Sequence, residues 1–358
     1  MSSMETDVQV ALDKFYADVA DYDLQPLWTQ TRNLMPSHPK PEALPWLWSW
    51  ERLRALAARA GELITVERGG ERRVLGLANP GLHGLPYATP TLWGAVQYLN
   101  AHESAPAHRH SPGAIRFVLH GEGVWTTVNG DACDMRAGDL ILTPSWTWHD
   151  HCNGSDHPMI WFDGLDLPTI IALDAVFFQE YEDMNQPVTK PHNTSTRIYG
   201  GHGTLPLGTT AHQLHSPLLV YRWPDTDEAL TGLLEANGGV AASLEFVNPT
   251  NGRAVMPTMG CEMHRIVAGG ETRPYRKVGS SIFVVYQGSG YSVINGLRFN
   301  WGQGDMFVAP SWAVVEHHAQ EQTDLFAVTD KPILEALGLF RDEYLLQPQE
   351  ISSVFAAR

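Results

Sequence analysis

The sequence predicts an all-β dominated protein, built from two jelly-roll β-barrels with a helical N-terminal arm and a C-terminal helix. From about residue 76 onward, short β-prone runs alternate with turns that contain glycine, asparagine or aspartate. In addition, residues 117–146 and 283–312 share one order of features: strand, G-x-G, strand, N-G turn, strand, G-D, strand and Pro-Ser-Trp. A repeat this long indicates a duplicated domain, and many short antiparallel strands favour jelly-roll barrels.

The remaining elements follow from local patterns. METDVQVALDKFYADVADYDL and PWLWSWERLRALAARAGELI carry apolar residues at helical spacing and predict a helical arm at 1–75. We expect the first β-domain at 76–180, a connecting segment rich in proline, glycine and threonine at 181–240, and the second β-domain at 241–358. The stretch KPILEALGLFRDEYLL predicts the C-terminal helix.

Composition excludes several classes of protein. A formal charge of −16 offers no basic stripe for a nucleic-acid backbone, so we expect no nucleic-acid partner. No apolar run approaches the roughly 18 residues of a membrane span, and the first residues do not resemble a signal peptide. Three scattered cysteines do not form a disulfide framework or a zinc-finger pattern. A reduced, soluble, cytoplasmic protein is the expectation.

Two histidine clusters predict a metal site in the first β-domain. PAHRHSPGAIRF, residues 106–117, contains His108 and His110, which point to the same face if this segment is a strand. Barrel closure can bring His149, in GDLILTPSWTWHDHCN, to the third corner of the site. Neutral imidazoles suit Fe, Zn, Cu or Ni. The alternative is that these are ordinary core or surface histidines.

Together the clusters resemble the two motifs of the cupin family, G-x5-HxH-x3-4-E-x6-G and G-x5-P-x-G-x2-H-x3-N. The matching residues are His108, His110, Gly121, Gly138, Pro144, His149 and Asn153. The chain departs from the motifs at three places. His102 replaces the leading glycine, Ala114 or Ile115 stands where the glutamate belongs, and Trp146 replaces the second glycine.

Of these departures, only the missing glutamate affects the chemistry. Three neutral histidines leave a bound ion with its full +2 charge, which a dianionic bidentate ligand such as a deprotonated ortho-hydroxybenzoate would neutralise. In the second domain the repeat places Tyr275, Lys277 and Val315 at the ligand positions, so we expect no metal there by this route. The pair His317 and His318 is a weak alternative. Packing and assembly are the expected roles of that domain.

Nearly the whole chain also resembles a narrower family, the bicupin ring-cleaving dioxygenases of gentisate, salicylate and 1-hydroxy-2-naphthoate. The resemblance rests on PLWTQTRNLMPSHPKP, ERGGERRVLGLANPGL, TPTLWGAVQYLNAHESAPAHRHSPGAIRFV, GDLILTPSWTWHDHCN and VNPTNGRAVMPTMGCEMHR. It implies Fe(II), O2 and cleavage between the carboxyl- and hydroxyl-bearing ring carbons, with gentisate giving maleylpyruvate. It also implies a homotetramer.

Two alternatives to the gentisate reaction remain. One is the same reaction on salicylate, a substituted salicylate or 1-hydroxy-2-naphthoate. The other is a non-redox metal-binding bicupin, either an isomerase or a ligand-binding protein, because a fold does not determine a function.

The resemblance also implies the residues around the metal. Arg68, Arg72 and Arg116 would bind the substrate carboxylate, for which the planar guanidinium is suited. Taken alone, Arg72 or Arg73 is as readily a solvated surface charge. His151 would act in acid–base chemistry near the metal-bound hydroxyl, although a histidine at the rim is the alternative.

Four further residues complete the predicted site. Asp163 would be the acidic partner of this network, because an inward carboxylate on an apolar strand needs a partner. Trp93, Gln97 and Met35 match pocket-lining positions of the family. For Trp93 and Met35, ordinary core packing is an equal alternative.

Overall fold

The structure is a computed structural model that describes residues 3–64, 73–201 and 203–356. It contains two compact units, Met1–Lys40 and Pro41–Arg358. The domain boundaries expected at residues 75, 180 and 240 stay predictions. No helix among the described residues is long and apolar enough to cross a membrane.

Helices are few among the described residues. They are α1 (Ser3–Asp21), α2 (Leu27–Leu34), α3 (Trp50–Leu63), α4 (Leu167–Ala172), α5 (Thr194–Tyr199), α6 (Trp223–Asn237) and α7 (Lys331–Ala336).

The described strands fall into two series. Those up to the middle of the chain are β1 (Trp46–Trp48), β2 (Val74–Gly76), β3 (Trp93–Leu99), β4 (Ser104–His110), β5 (Ala114–His120), β6 (Glu122–Val128), β7 (Asp131–Arg136), β8 (Leu140–Thr143), β9 (His149–Asn153), β10 (Met159–Leu165), β11 (Phe178–Glu180) and β12 (Val220–Tyr221). The remainder are β13 (Ala241–Phe246), β14 (Gly260–Ile266), β15 (Tyr275–Lys277), β16 (Ser281–Gln287), β17 (Ser289–Ile294), β18 (Leu297–Gly302), β19 (Met306–Ala309), β20 (Val315–Ala319), β21 (Thr323–Thr329), β22 (Asp342–Tyr344) and β23 (Ser353–Val354).

The N-terminal unit contains α1 and α2. Phe15 of α1 stacks on Trp28 of α2 with ring centroids 6.3 Å apart. The indole N–H of Trp28 donates to the hydroxyl of Tyr16 at 3.1 Å. These contacts join the two helices through aromatic side chains that each carry a polar group.

Four antiparallel sheets form the larger unit, two for each repeat. The first repeat has a six-stranded sheet in the order β12-β8-β5-β10-β3-β2 and a five-stranded sheet in the order β11-β4-β9-β6-β7. The second has the orders β1-β19-β16-β21-β14-β13 and β22-β15-β20-β17-β18-β23, where the short β18–β23 pair is parallel. Strand β1 therefore comes from the predicted helical arm but extends a sheet of the second repeat.

Apolar side chains fill the space between the sheets. Within each repeat, buried residues of both sheets form one cluster, which includes Trp161 and Met135 in the first repeat and Phe283 and Phe299 in the second. A third cluster joins the repeats, and there Phe117 stacks on Phe326 with centroids 4.2 Å apart. The two halves therefore share a continuous core.

The predicted β-dominated class is confirmed, with two corrections. The sheets are open, since no ladder among the described residues closes either repeat into a barrel. The predicted C-terminal helix is also shorter than its pattern suggests. It ends at Ala336, Gly338 adopts a left-handed φ of 68°, and the rest of the stretch includes β22.

Candidate metal centre and its surroundings

Three histidines converge between β4 and β9. His108 and His110 are two residues apart on β4, and His149 pairs with His108 across the ladder. Their candidate ligand atoms all lie within 4.8 Å of one another. The strand period of two places both β4 histidines on one face, and the antiparallel register brings the third histidine opposite them.

Backbone carbonyls hold all three rings through the same nitrogen. Each Nδ1 atom lies at hydrogen-bond distance from one carbonyl oxygen: 2.8 Å from Pro106 for His108, 2.7 Å from Pro112 for His110 and 3.0 Å from Thr147 for His149. Because a carbonyl only accepts, Nδ1 carries the proton and Nε2 keeps its lone pair. Such outer partners are typical of metal-binding histidines.

His149 shows most directly that the site suits a metal ion. Its Nε2 atom is buried and has no hydrogen-bond partner among the described residues. Burial lowers the pKa of His149 well below its usual value, and His108, Arg116 and His110 lower it further. A neutral imidazole with an unsatisfied buried lone pair fits a transition-metal ligand.

The cluster contains no carboxylate among the described residues. Instead, the buried guanidinium of Arg116 lies nearby on β5, where it affects the pKa of His149. Its Nη1 donates a short hydrogen bond to the hydroxyl of Thr143. Its Nε lies 3.4 Å from Oδ1 of Asp163, an ion pair whose geometry falls short of a hydrogen bond. The site thus contains a fixed cation next to the position at which the cupin motif has an acid.

Asp163 faces Arg116 directly across the β5–β10 ladder. Its Oδ1 accepts a hydrogen bond from Nε1 of Trp161 at 3.0 Å. Burial raises the pKa of this carboxyl group, whereas Arg116 and the hydrogen bond from Trp161 oppose the rise. The indole and the guanidinium thus share one carboxylate oxygen.

His151 is also buried, two residues beyond His149 on β9. Its Nδ1 lies 2.8 Å from the hydroxyl oxygen of Thr126, and its ring centroid is 5.2 Å from that of Trp161. Burial lowers the pKa of His151 well below its usual value, and Arg116 and His108 add to this effect.

Other predicted site residues are less closely tied to the centre. Gln97 is buried on β3 and pairs with Trp161 across the ladder. Trp93 is half-buried at the start of the same strand. Met35 belongs to the N-terminal unit, where it is exposed. Arg68 and Arg72 lie outside the described residues.

Sequence reasoning missed the supporting contacts of Thr126, Thr143 and Trp161. Trp161 and Asp163 have the same parity on β10, a signal that a search for inward polar partners would have detected. Arg73, an alternative in the ERGGERR stretch, is buried and pairs with Glu103, and its Nη1 donates to the carbonyl of Ile64 at 2.9 Å. These contacts indicate that Arg73 stabilises the fold.

The chain is similar to known proteins over most of its length. The model of the cupin domain family matches residues 95–165, which include all three histidines. A gentisate 1,2-dioxygenase from a Streptomyces species is 50% identical over 339 residues, covering 92% of this chain and 94% of that protein. A 1-hydroxy-2-naphthoate 1,2-dioxygenase from Nocardioides is 30% identical, covering 93% and 87%.

A solved structure matches equally broadly. The salicylate 1,2-dioxygenase of Pseudoaminobacter salicylatoxidans, determined as adducts with gentisate, superimposes with a TM-score of 0.90. The two proteins are 46% identical, and the match covers 94% of each chain.

Proposed function

This chain belongs to the family of ring-cleaving dioxygenases of gentisate, salicylate and 1-hydroxy-2-naphthoate, and we propose that its own reaction is the Fe(II)-dependent cleavage of gentisate by O2 to maleylpyruvate. The observation that carries this proposal is the centre itself. Three histidines bring their Nε2 lone pairs close together, no carboxylate of the described residues joins them, and a buried arginine lies nearby.

His108, His110 and His149 would hold the iron. When bound, Fe(II) would supply open coordination positions and would relay electrons from the aromatic ring to O2. The three neutral imidazoles contribute no negative charge, so an ortho-hydroxy carboxylate is the complementary substrate. The acidic ligand of the cupin motif is therefore dispensable here.

In this proposal Arg116 orients the substrate carboxylate. Its guanidinium is held by Thr143 and Asp163, so the side chain loses little further freedom when it binds an anion. Asp163 keeps the buried cation paired before the substrate arrives. Arg68 and Arg72, which fall outside the described residues, remain predicted partners of the same carboxylate. Gln97, Trp93 and Met35 remain predicted pocket residues.

His151 would accept the proton of the substrate hydroxyl. The hydroxyl of Thr126 donates to the sulfur of Met135 at 3.1 Å, and its oxygen is then an acceptor for the Nδ1–H of His151. This arrangement leaves the lone pair of Nε2 available as a base. The lowered pKa of His151 keeps the ring neutral before the substrate binds, and the negative charge of the bound substrate would raise its basicity for the transfer.

A second candidate is the same reaction on salicylate, a substituted salicylate or 1-hydroxy-2-naphthoate. The match to a salicylate dioxygenase at a TM-score of 0.90 supports it, whereas the 50% identity to a gentisate dioxygenase supports gentisate. The para hydroxyl of gentisate enriches its ring in electrons, so this ring should react with O2 more readily than that of salicylate.

The test is anaerobic loading with Fe(II), followed by gentisate and air. We expect stoichiometric O2 uptake and the absorbance of maleylpyruvate, with a higher kcat/KM for gentisate than for salicylate, 5-aminosalicylate or 1-hydroxy-2-naphthoate. A higher value for another substrate would replace gentisate. Metal analysis of the active protein checks iron, and activity with zinc alone would contradict the proposed cofactor.

Two predictions extend beyond the site. The family resemblance implies a homotetramer, and we propose that the protein forms one. We also propose that it is located in the cytoplasm. Light scattering of the purified protein checks the assembly, and fractionation of the source cells checks the location.

A further inference from the structure

A cavity of about 690 Å³ opens in the second repeat, between the β13–β14 edge of one sheet and the β15–β22 edge of the other. None of the three histidines of the metal centre lines it. The side chains that matter here are Glu262, His264, Arg273, Tyr275, Lys277 and Tyr344. Its volume lies within the range of pockets for small organic ligands.

This cavity occupies the place that the metal centre occupies in the first repeat. Tyr275 and Val315 form a cross-strand pair between β15 and β20. The first repeat has His108 and His149 at the corresponding position. Lys277, two residues beyond Tyr275, replaces the second β4 histidine. The second repeat therefore has hydrogen-bond donors at positions where the first repeat has histidines.

The ammonium group of Lys277 has a carboxylate nearby but makes no hydrogen bond among the described residues. Its side chain is 14% exposed, and its Nζ lies 3.8 Å from Oε1 of Glu262, beyond hydrogen-bond distance. No other ion pair of Lys277 occurs among the described residues. An ammonium group has three N–H donors, and those of Lys277 are available to a ligand in the cavity. The cavity therefore has an unused donor suited to a negatively charged group.

Glu262 is the charge partner of Lys277, but it lies too far away to accept a hydrogen bond from the ammonium group. His264 Nε2 lies 3.2 Å from its Oε2, a contact whose geometry falls short of a hydrogen bond, and the Nδ1 of the same ring lies 2.7 Å from the hydroxyl of Ser243. Burial raises the pKa of Glu262, but Lys277 and His264 more than offset this and lower the pKa to about 2. The carboxylate thus stays ionised and held, and it does not recruit a further cation.

Aromatic rings and a second cation lie toward the solvent. The rings of Tyr275 and Tyr344 are 6.2 Å apart. The guanidinium of Arg273 lies 5.1 Å from the centre of the Tyr344 ring, and it has no ion pair among the described residues. Aromatic rings beside cations suit a ligand that has an aromatic body and a carboxylate.

We infer that this cavity binds a small aromatic carboxylate without a metal ion, with the carboxylate at Lys277 and the ring against Tyr275 and Tyr344. The second repeat is then a binding domain as well as a packing partner. The ligand belongs to the same chemical class as the proposed substrate, but the site lacks any means of opening the ring.

Labelled benzoate is the probe, because it has the ring and the carboxylate but no ortho hydroxyl with which to chelate iron. Equilibrium dialysis of the iron-loaded protein measures the number bound per chain. We expect wild type to bind about one more benzoate per chain than Lys277→Met. This difference does not depend on the proposed gentisate chemistry, since binding at the metal centre contributes equally to both proteins.

Two variants complete the design. Arg273→Met removes an exposed cation and should weaken the same site about threefold without disturbing the core. Lys14→Met, on the exposed face of α1, is the matched control and should bind as wild type does. Equal benzoate binding by wild type and a folded Lys277→Met protein would overturn the inference. If Lys277→Met does not fold, unchanged affinity in Arg273→Met overturns it.

Discussion

The two repeats of this chain keep the same turns while their interiors differ. Trp146 and Trp312 both adopt left-handed backbone angles, with φ of 61° and 64°. Each N–H donates to the carbonyl at the end of the preceding ligand strand, His110 in one repeat and Lys277 in the other. The tryptophan that replaces a motif glycine therefore preserves the turn, and His102, with φ of 56°, does so at the other replaced glycine.

The interiors differ at the positions that carry chemistry. Asp163 and Ala327 both lie three residues before the aspartate that precedes a helix, and both are buried. Asp163 pairs with Arg116 across the ladder, whereas Ala327 pairs with Phe283. An ion pair in the first repeat is thus an apolar contact in the second. Turns and core positions specify the fold, while a few inward residues decide what each repeat can bind.

One contact between the repeats is reciprocal. Asp166, in the first repeat, accepts a hydrogen bond from Thr258 at 2.5 Å, and Asp330, in the second, accepts one from Thr91 at 2.5 Å. Each aspartate also accepts from a backbone N–H of its own repeat. The two repeats share this pair of bonds although only the first has the histidine cluster, which is consistent with a role of the second repeat in supporting the first.

The largest expected effect contrasts His149→Ala with Val315→Ala, two truncations at equivalent positions. We expect His149→Ala to lose bound iron and all measurable turnover, because removing a ligand should cost more than the 10- to 100-fold typical of losing an outer partner. Val315→Ala should keep its iron and only lose some stability. Metal analysis and O2 uptake check both. Full iron content in His149→Ala would contradict the predicted ligand set.

The next effect concerns the histidine–hydroxyl pairs Thr126–His151 and Ser292–His317, which have nearly identical distances of 2.8 and 2.7 Å. His151→Gln should lower kcat by about 10²-fold or more, because it removes the proposed proton acceptor. Thr126→Val should lower kcat less, while Ser292→Ala should leave it unchanged. Steady-state kinetics at saturating gentisate make the comparison. An equal loss in Thr126→Val and Ser292→Ala would indicate a purely structural role.

The sequence allowed the β-class and the histidine cluster to be predicted, because both depend on local spacing. His108 and His110 share a strand face, and the turn before His149 is marked by its own motif. The contacts of Trp161 and Thr143 could not be predicted, because they depend on strand register between distant segments. Sequence alignment of the repeats pairs Phe117 with Phe283, whereas the ladders place Arg116 at the position of Phe283. A one-residue slip exchanges the two faces of a strand.

A third, smaller effect tests Arg116, whose ladder position is taken by Phe283 in the second repeat. Arg116→Met should lower kcat/KM for gentisate about 10- to 100-fold, the range for losing a hydrogen bond to a charged group. Most of the loss should be in KM if Arg116 binds the carboxylate. Arg116→Lys keeps the charge but not the planar fork, and it should recover part of the lost kcat/KM.

Arg116→Met also leaves Asp163 buried without its cation, which is destabilising in itself. The double variant Arg116→Met/Asp163→Asn separates the two roles. It should regain thermal stability relative to Arg116→Met, but not KM. Recovery of KM in the double variant would show that Arg116 acts only by pairing with Asp163.

The smallest expected effect on turnover concerns the reciprocal bonds between the repeats, where a change of pH acts on stability. Burial raises the pKa of Asp166 to about 6, although its hydrogen bonds from Thr258 and Gly113 oppose the rise. The folded state therefore holds a proton that the unfolded state loses near pH 4. The free energy of unfolding should fall as pH rises from about 4 to 6, by at most about 3 kcal/mol, and then level off. Asp166→Asn should flatten this slope without changing turnover.

Denaturant unfolding at several pH values from 4 to 7 checks the sign, with the exposed Asp18→Asn as the matched control. Asp330, whose pKa burial also raises, should contribute a slope in the same direction. If Asp166→Asn and Asp330→Asn each remove part of the slope, the bonds are equivalent in energy as well as in position. If Asp166→Asn leaves the slope of wild type intact, the carboxyl group is ionised in the folded state, and its bonds stabilise the junction as a charge.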